Sequence, residues 1–171
     1  QAVPRHALSS RRSSALLAVR ALAPAAAIGA LQGLLVAVIV QLAAGYDAGA
    51  WWSFAGLAVV AGIAFAAVNQ ALVAVFGGAG RWISALVGVL AVATGIVSTV
   101  PGVLSSIAGL SPTTPAYNAM LAALTAAGGL GAGLAGMIVW AGLALVATII
   151  AVARRRTAKA SALLAPAPAL A

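Results

Sequence analysis

Residues 50–76 read AWWSFAGLAVVAGIAFAAVNQALVAVF and contain no charged side chain. A helix needs about 20 apolar residues to cross a hydrocarbon core roughly 30 Å thick, and this stretch exceeds that length. A helix also satisfies its own backbone donors and acceptors, as any lipid-embedded segment must. Working outward, residues 21–44, 82–100 and 132–153 repeat the pattern, again without charge. The alternation that marks a membrane β-strand is missing from all of them. Of the 171 residues, 64% are hydrophobic and 6% charged, against about 25% charged in a water-soluble domain. Such a chain cannot cover itself with polar groups. The expected fold is an all-α integral membrane protein with four transmembrane helices plus two short outer-leaflet or re-entrant helices.

The charges assign sides. Arg5, Arg11, Arg12 and Arg20 precede the first span, Arg81 sits between the second and third, and Arg154, Arg155, Arg156 and Lys159 follow the fourth. With four spans every basic residue falls on one side, and the single acid, Asp47, on the other. The positive-inside rule then puts both termini in the cytoplasm, and the expected location is a bacterial cell membrane. Residues 1–20 form a basic interfacial segment, 21–153 the transmembrane domain, and 154–171 a basic, disordered tail. Trp51 and Trp52 stand at the depth of an aromatic belt. Because the basic residues flank apolar spans, the formal charge of +8 is read as topology, not as nucleic-acid binding.

Little in the chain supports catalysis. Cysteine is absent and His6 is the one histidine, so no thiolate or histidine metal cluster is expected. His6 and Asp47 fall on opposite sides of the membrane and cannot act together. Gly77-Gly78-Ala79-Gly80-Arg81 lacks the Lys-Ser/Thr of a phosphate-binding loop; it reads as a tight turn with one orienting arginine. No enzymatic activity and no cofactor is expected.

Polar residues within the spans carry more information, since a buried amide in lipid is costly without a partner. Gln32 and Gln41 lie on the first span, Asn69 and Gln70 on the second, Ser84 and Thr94 on the third. Gln32, Asn69, Gln70 and Thr94 are candidates either to line a path or to bond helix to helix, at about 0.6 kcal/mol per contact. Gly29 with Gly33, and Ala132 with Gly136, are spaced for close helix packing. The connection from 101 to 131 is too apolar for a solvated loop. Val103, Leu104, Ile107 and Leu110 recur at helical spacing after Pro101, and Ala116, Met120, Ala123 and Leu124 do so after Pro115. Pro112 and Pro115 break any single helix here. Pro101, Pro112, Pro115, Tyr117 and Asn118 therefore mark an outer short-helix region, residues 101–125.

Several stretches recur in a familiar order: Phe65-Ala-Ala-Val-Asn69-Gln70-Ala-Leu72, Gly77-Gly78-Ala79-Gly80-Arg81, Val100-Pro101-Gly102-Val103-Leu104, and Leu110-Ser111-Pro112-Thr113-Thr114-Pro115-Ala116-Tyr117-Asn118-Ala119-Met120. Over residues 5–156 the chain resembles the C-terminal membrane region of YhgE/Pip proteins, within the ABC-2-type permease superfamily. The resemblance implies a permease-like fold whose short outer helices line the exit of a lipid- or polysaccharide-export path. Family members carry six spans and a large extracellular domain; the sequence from Gln1 departs from that plan in lacking the first span, that domain and one further span, which either lie upstream of Gln1 or are absent. They have also been tied to phage infection and type VII secretion.

The resulting expectation is a permease-like membrane subunit, exporting a hydrophobic or amphipathic substrate or serving a secretion system. Spans two and three would bound the path. Arg81, Arg154, Arg155 and Arg156 would set topology and offer partner contacts in the cytoplasm, where a separate ATP-binding subunit docks. The lipid bilayer, a second copy of the chain or other membrane subunits are the remaining expected partners. The alternative is a non-transporting accessory or scaffold subunit of a larger membrane complex.

Overall fold

The computed structural model describes residues 13–96 and 111–164, with side chains described for 13–89 and 111–157. Those residues are all-helical: α1 (Ser14–Ala44), α2 (Ala48–Phe76), α3 (Gly78–Ile96), α4 (Thr113–Thr125) and α5 (Leu130–Leu164). Three stretches are long and apolar enough to cross a membrane, Ser14–Ala44, Ala48–Phe76 and Leu130–Thr157. The chain thus has the architecture of a membrane protein. The predicted third span, 82–100, begins in α3 and continues into residues outside the described set, as does the predicted short helix after Pro101.

Local chemistry sets the helix ends. Ser13 caps α1 by accepting from the Leu16 amide, and Asp47 caps α2 by accepting from Ala50. Between them Gly45 takes a left-handed conformation at φ 61°, which costs a residue without Cβ nothing. Gly77 turns α2 into α3 at φ 62°, ψ −127°, a region open essentially to glycine alone. Helix α1 starts at Ser14, ahead of the apolar stretch 21–44, and runs through Pro24. Proline has no amide hydrogen, so the Arg20 carbonyl lacks its usual helical donor. Helix α5 likewise continues past residue 153 to Leu164, through part of the stretch assigned by composition to the tail; residues 165–171 lie outside the described set.

Helix α2 is the centre of the bundle and packs against each of the other four helices. Its buried stripe, Phe54, Leu57, Ala58, Ala61, Ala64, Ala67, Ala71 and Ala74, follows the three-and-four spacing of one helical face. Most of these side chains are single methyl groups, so backbones approach closely, the usual mode of helix association in lipid. The extreme case is the α1–α2 seam. A Cβ on Gly29 would strike the Gly62 carbonyl, one on Gly62 the Gly29 carbonyl, and one on Gly33 the Ala58 carbonyl. These pairs make α1 and α2 antiparallel. Gly80 against Leu72, just across the Gly77 turn, does the same for α2 and α3, while Met137 clustered with Phe54 and Leu57, Ala144 with Ala67 and Ala71, and Arg155 bonded to the Ala74 carbonyl set α5 parallel to α2. Helix α4 folds back on the start of α5, with Pro115 and Ala119 seated on Gly133 and Pro115 on Gly136.

Candidate functional site

The topology sorts charge to the two ends of the bundle. Arg81, Arg154, Arg155 and Arg156 gather where α2 ends and α3 begins, and Asp47 stands at the opposite end of α2. The separation is roughly 40 Å at about 1.5 Å per helical residue.

From the basic end a cleft of about 680 Å³ runs along the bundle, lined by Ala21, Ala25, Ile28, Gln32 and Val36 of α1 and by Gly62, Phe65, Ala66, Asn69, Gln70 and Val73 of α2, with Arg81 and Met120 at its margins. Pockets that bury small ligands span about 300–1,000 Å³, so the volume suits a bound molecule. The glycine seam explains the shape: where Gly29, Gly33, Ala58 and Gly62 touch, they form a floor. The walls come from α1 and α2; α3 contributes Arg81 and α4 Met120.

The candidate polar residues divide sharply. Gln70 donates from Nε2 to the Ala18 carbonyl across the α1–α2 interface at 3.1 Å, so its amide is engaged in holding the helices together. Asn69, its neighbour, is exposed into the cleft, as is Gln32, and neither side chain has a hydrogen-bond partner among the described residues. Arg81 is also exposed and unpartnered there. Thr94 belongs to α3, but its side chain is outside the described set, as is all of Pro101.

The outer short-helix residues take up different roles. Pro112 is buried at the start of α4, and Pro115 packs on the α5 glycines. Tyr117 and Asn118 are exposed, Asn118 in a smaller hollow with Gly128 and Gly129. Arg154 is exposed, Arg155 donates to the Ala74 carbonyl at 2.7 Å, and Arg156 reaches Ser14 Oγ at 3.4 Å. These arginines tie α5 to α2 and α1 in addition to any topological role. Charge counting could not reveal that, because the last carbonyls of α2 become acceptors only once α5 lies beside them.

Two further contacts were not legible in advance. Trp51 donates from its indole to the Ala37 carbonyl at 3.1 Å, and Gln41 donates to the Tyr46 carbonyl at 3.0 Å. Both brace the α1–α2 corner. Among the described residues no group of three metal-ligating side chains occurs. No family model, curated protein or solved structure matches the chain. The molecule is therefore defined by its own architecture, an all-helical, membrane-type bundle with a polar-edged cleft.

Proposed function

We propose that the chain is a permease-like subunit of a bacterial cell membrane, exporting a hydrophobic or amphipathic substrate or serving a secretion system. In this reading α3 belongs to a third crossing of four, α4 is a re-entrant helix of the outer leaflet, and both termini are cytoplasmic. The likeness to YhgE/Pip membrane regions points the same way. The supporting observation is the row of polar groups, Gln32, Asn69 and Arg81, unpartnered among the described residues, along a cleft whose other lining is mostly apolar. An amide left open at membrane depth is costly, and a passing amphipathic molecule would meet it. The basic end would face the cytoplasm, where Arg81 and Arg154 can meet an ATP-binding subunit.

Asn69→Leu tests the path. Export is expected to fall at least tenfold while expression and assembly persist. Gln70→Leu is the contrasting variant, expected to weaken helix association by removing the Ala18 contact. Unchanged export in Asn69→Leu, with Gln70→Leu disrupting assembly, would favour the accessory-subunit reading. Because the chain has no cysteine, single cysteines introduced at Ser13 and Gly49 map the two sides directly. Labelling of both from the same side would overturn the orientation.

A further inference from the structure

We infer that the cleft between α1 and α2 holds one anionic phospholipid, its phosphate on Arg81, its ester region at Asn69 and an acyl chain along the α1–α2 wall. The inference rests on the bundle standing in a membrane, and it holds whether or not the occupant moves. Its first support is charge. Arg81 is exposed at the mouth of the cleft and has no partner among the described residues. The one acidic side chain of the sequence, Asp47, is at the far end of α2, so no carboxylate stands near Arg81 among the described residues. An outside anion can pair with it, and a guanidinium suits the paired oxygens of a phosphate.

The second support is register. Gly80 packs on Leu72 and Val73, so in this antiparallel pair Arg81 begins level with Ala71 and Leu72. Asn69 then lies roughly 3–4 Å deeper at about 1.5 Å per residue, a spacing that brings its amide, unpartnered among the described residues, beneath a phosphate held by Arg81. The third support is the remaining wall. Beyond Asn69 it is made of Ala25, Ile28, Val36, Phe65 and Ala66, with only Gln32 breaking the apolar run, as an extended hydrocarbon chain requires. A free inorganic anion would use the first feature and ignore the other two. The cleft also opens along the exposed flank of α1, where Ile28 and Val36 are exposed, so a lipid can enter sideways from the bilayer.

The test is native mass spectrometry of the full chain in mild detergent, after equilibration with equal amounts of phosphatidylglycerol and phosphatidylcholine. One phosphatidylglycerol should be retained with about tenfold preference, the scale of a single charge-assisted contact. Arg81→Gln should abolish that preference, Arg81→Lys should keep part of it, and Asn69→Leu should weaken retention. Arg154→Gln, at the same end but outside the cleft, should leave it intact, and millimolar inorganic phosphate should not displace the lipid. Absence of preference, an equal loss in Arg154→Gln, or displacement by phosphate would each overturn the inference. Retention is read without transport, so it separates from the path: retention lost with export intact sinks the path alone, whereas export lost in Asn69→Leu with retention unchanged in Arg81→Gln sinks the lipid site alone.

Discussion

The two ends of this bundle solve the same problem, satisfying polar groups beside lipid, by opposite means. At the Asp47 end the contacts are local. Asp47 caps the helix it begins, Gln41 reaches Tyr46 five residues on, and Trp51 reaches Ala37 fourteen residues back. At the basic end the bonds join distant parts of the chain. Gln70 meets Ala18 across 52 residues, Arg155 meets Ala74 across 81, and Arg156 meets Ser14 across 142. That end leaves a guanidinium and an amide, Arg81 and Asn69, open in a cleft and unpartnered among the described residues. A locally closed corner can form as soon as α1 and α2 pair, whereas the basic end is complete only when α5 has docked. The difference teaches where to look for function: the end whose bonds join distant parts of the chain and whose open polar groups face a cleft.

The contrast can be broken by experiment. The largest effect is expected from Gly62→Val, which drives a side chain into the Gly29 backbone. Overpacking costs about 1–3 kcal/mol where neighbours can shift; here both sides are backbone, so loss of the folded species by size-exclusion chromatography is expected. This variant should disable both ends, because both depend on the α1–α2 seam. Next comes Arg155→Ala, which leaves the carbonyl of buried Ala74 without its charged donor. A loss of about 1.5–3 kcal/mol is expected, read as a lower unfolding midpoint by tryptophan fluorescence in detergent, with proteolysis opening first in α5.

Asp47→Ala removes only a cap and should cost about 1 kcal/mol in the same assay, with α5 protected as before. If Asp47→Ala costs more than Arg155→Ala, the distinction between local and long-range ends collapses. The smallest effect belongs to Gln41→Met. It removes the bond to Tyr46, but also removes Oε1, which is buried without a partner among the described residues. A bond worth about 1 kcal/mol is offset by relief of the buried oxygen, so the midpoint should hardly move. A large loss would mean that the corner is more tightly coupled to the bundle than its contacts indicate.

Much of this was legible in the linear chain. Uncharged stretches too long and too apolar for water dictate membrane-type helices; Gly45, Asp47 and Gly77 mark their ends, and Pro112 stands at the start of α4, which runs on through Pro115. The Gly29–Gly33 spacing pointed to a close helix contact, and the helices meet there. The sequence could not say which helix would fill the facing position, because alanine and glycine recur on every span and many pairings look alike. Asn69 and Gln70 read as one polar pair for the same reason. Adjacent helical residues point about 100° apart, and only the position of α1 decides that Gln70 finds the Ala18 carbonyl while Asn69 faces the cleft. The arginines after residue 153 likewise read as topology until α5 lay against the end of α2. Helix length and apolarity are written residue by residue along the chain. Whether a polar group is satisfied depends on what stands opposite it, and only the packed bundle settles that.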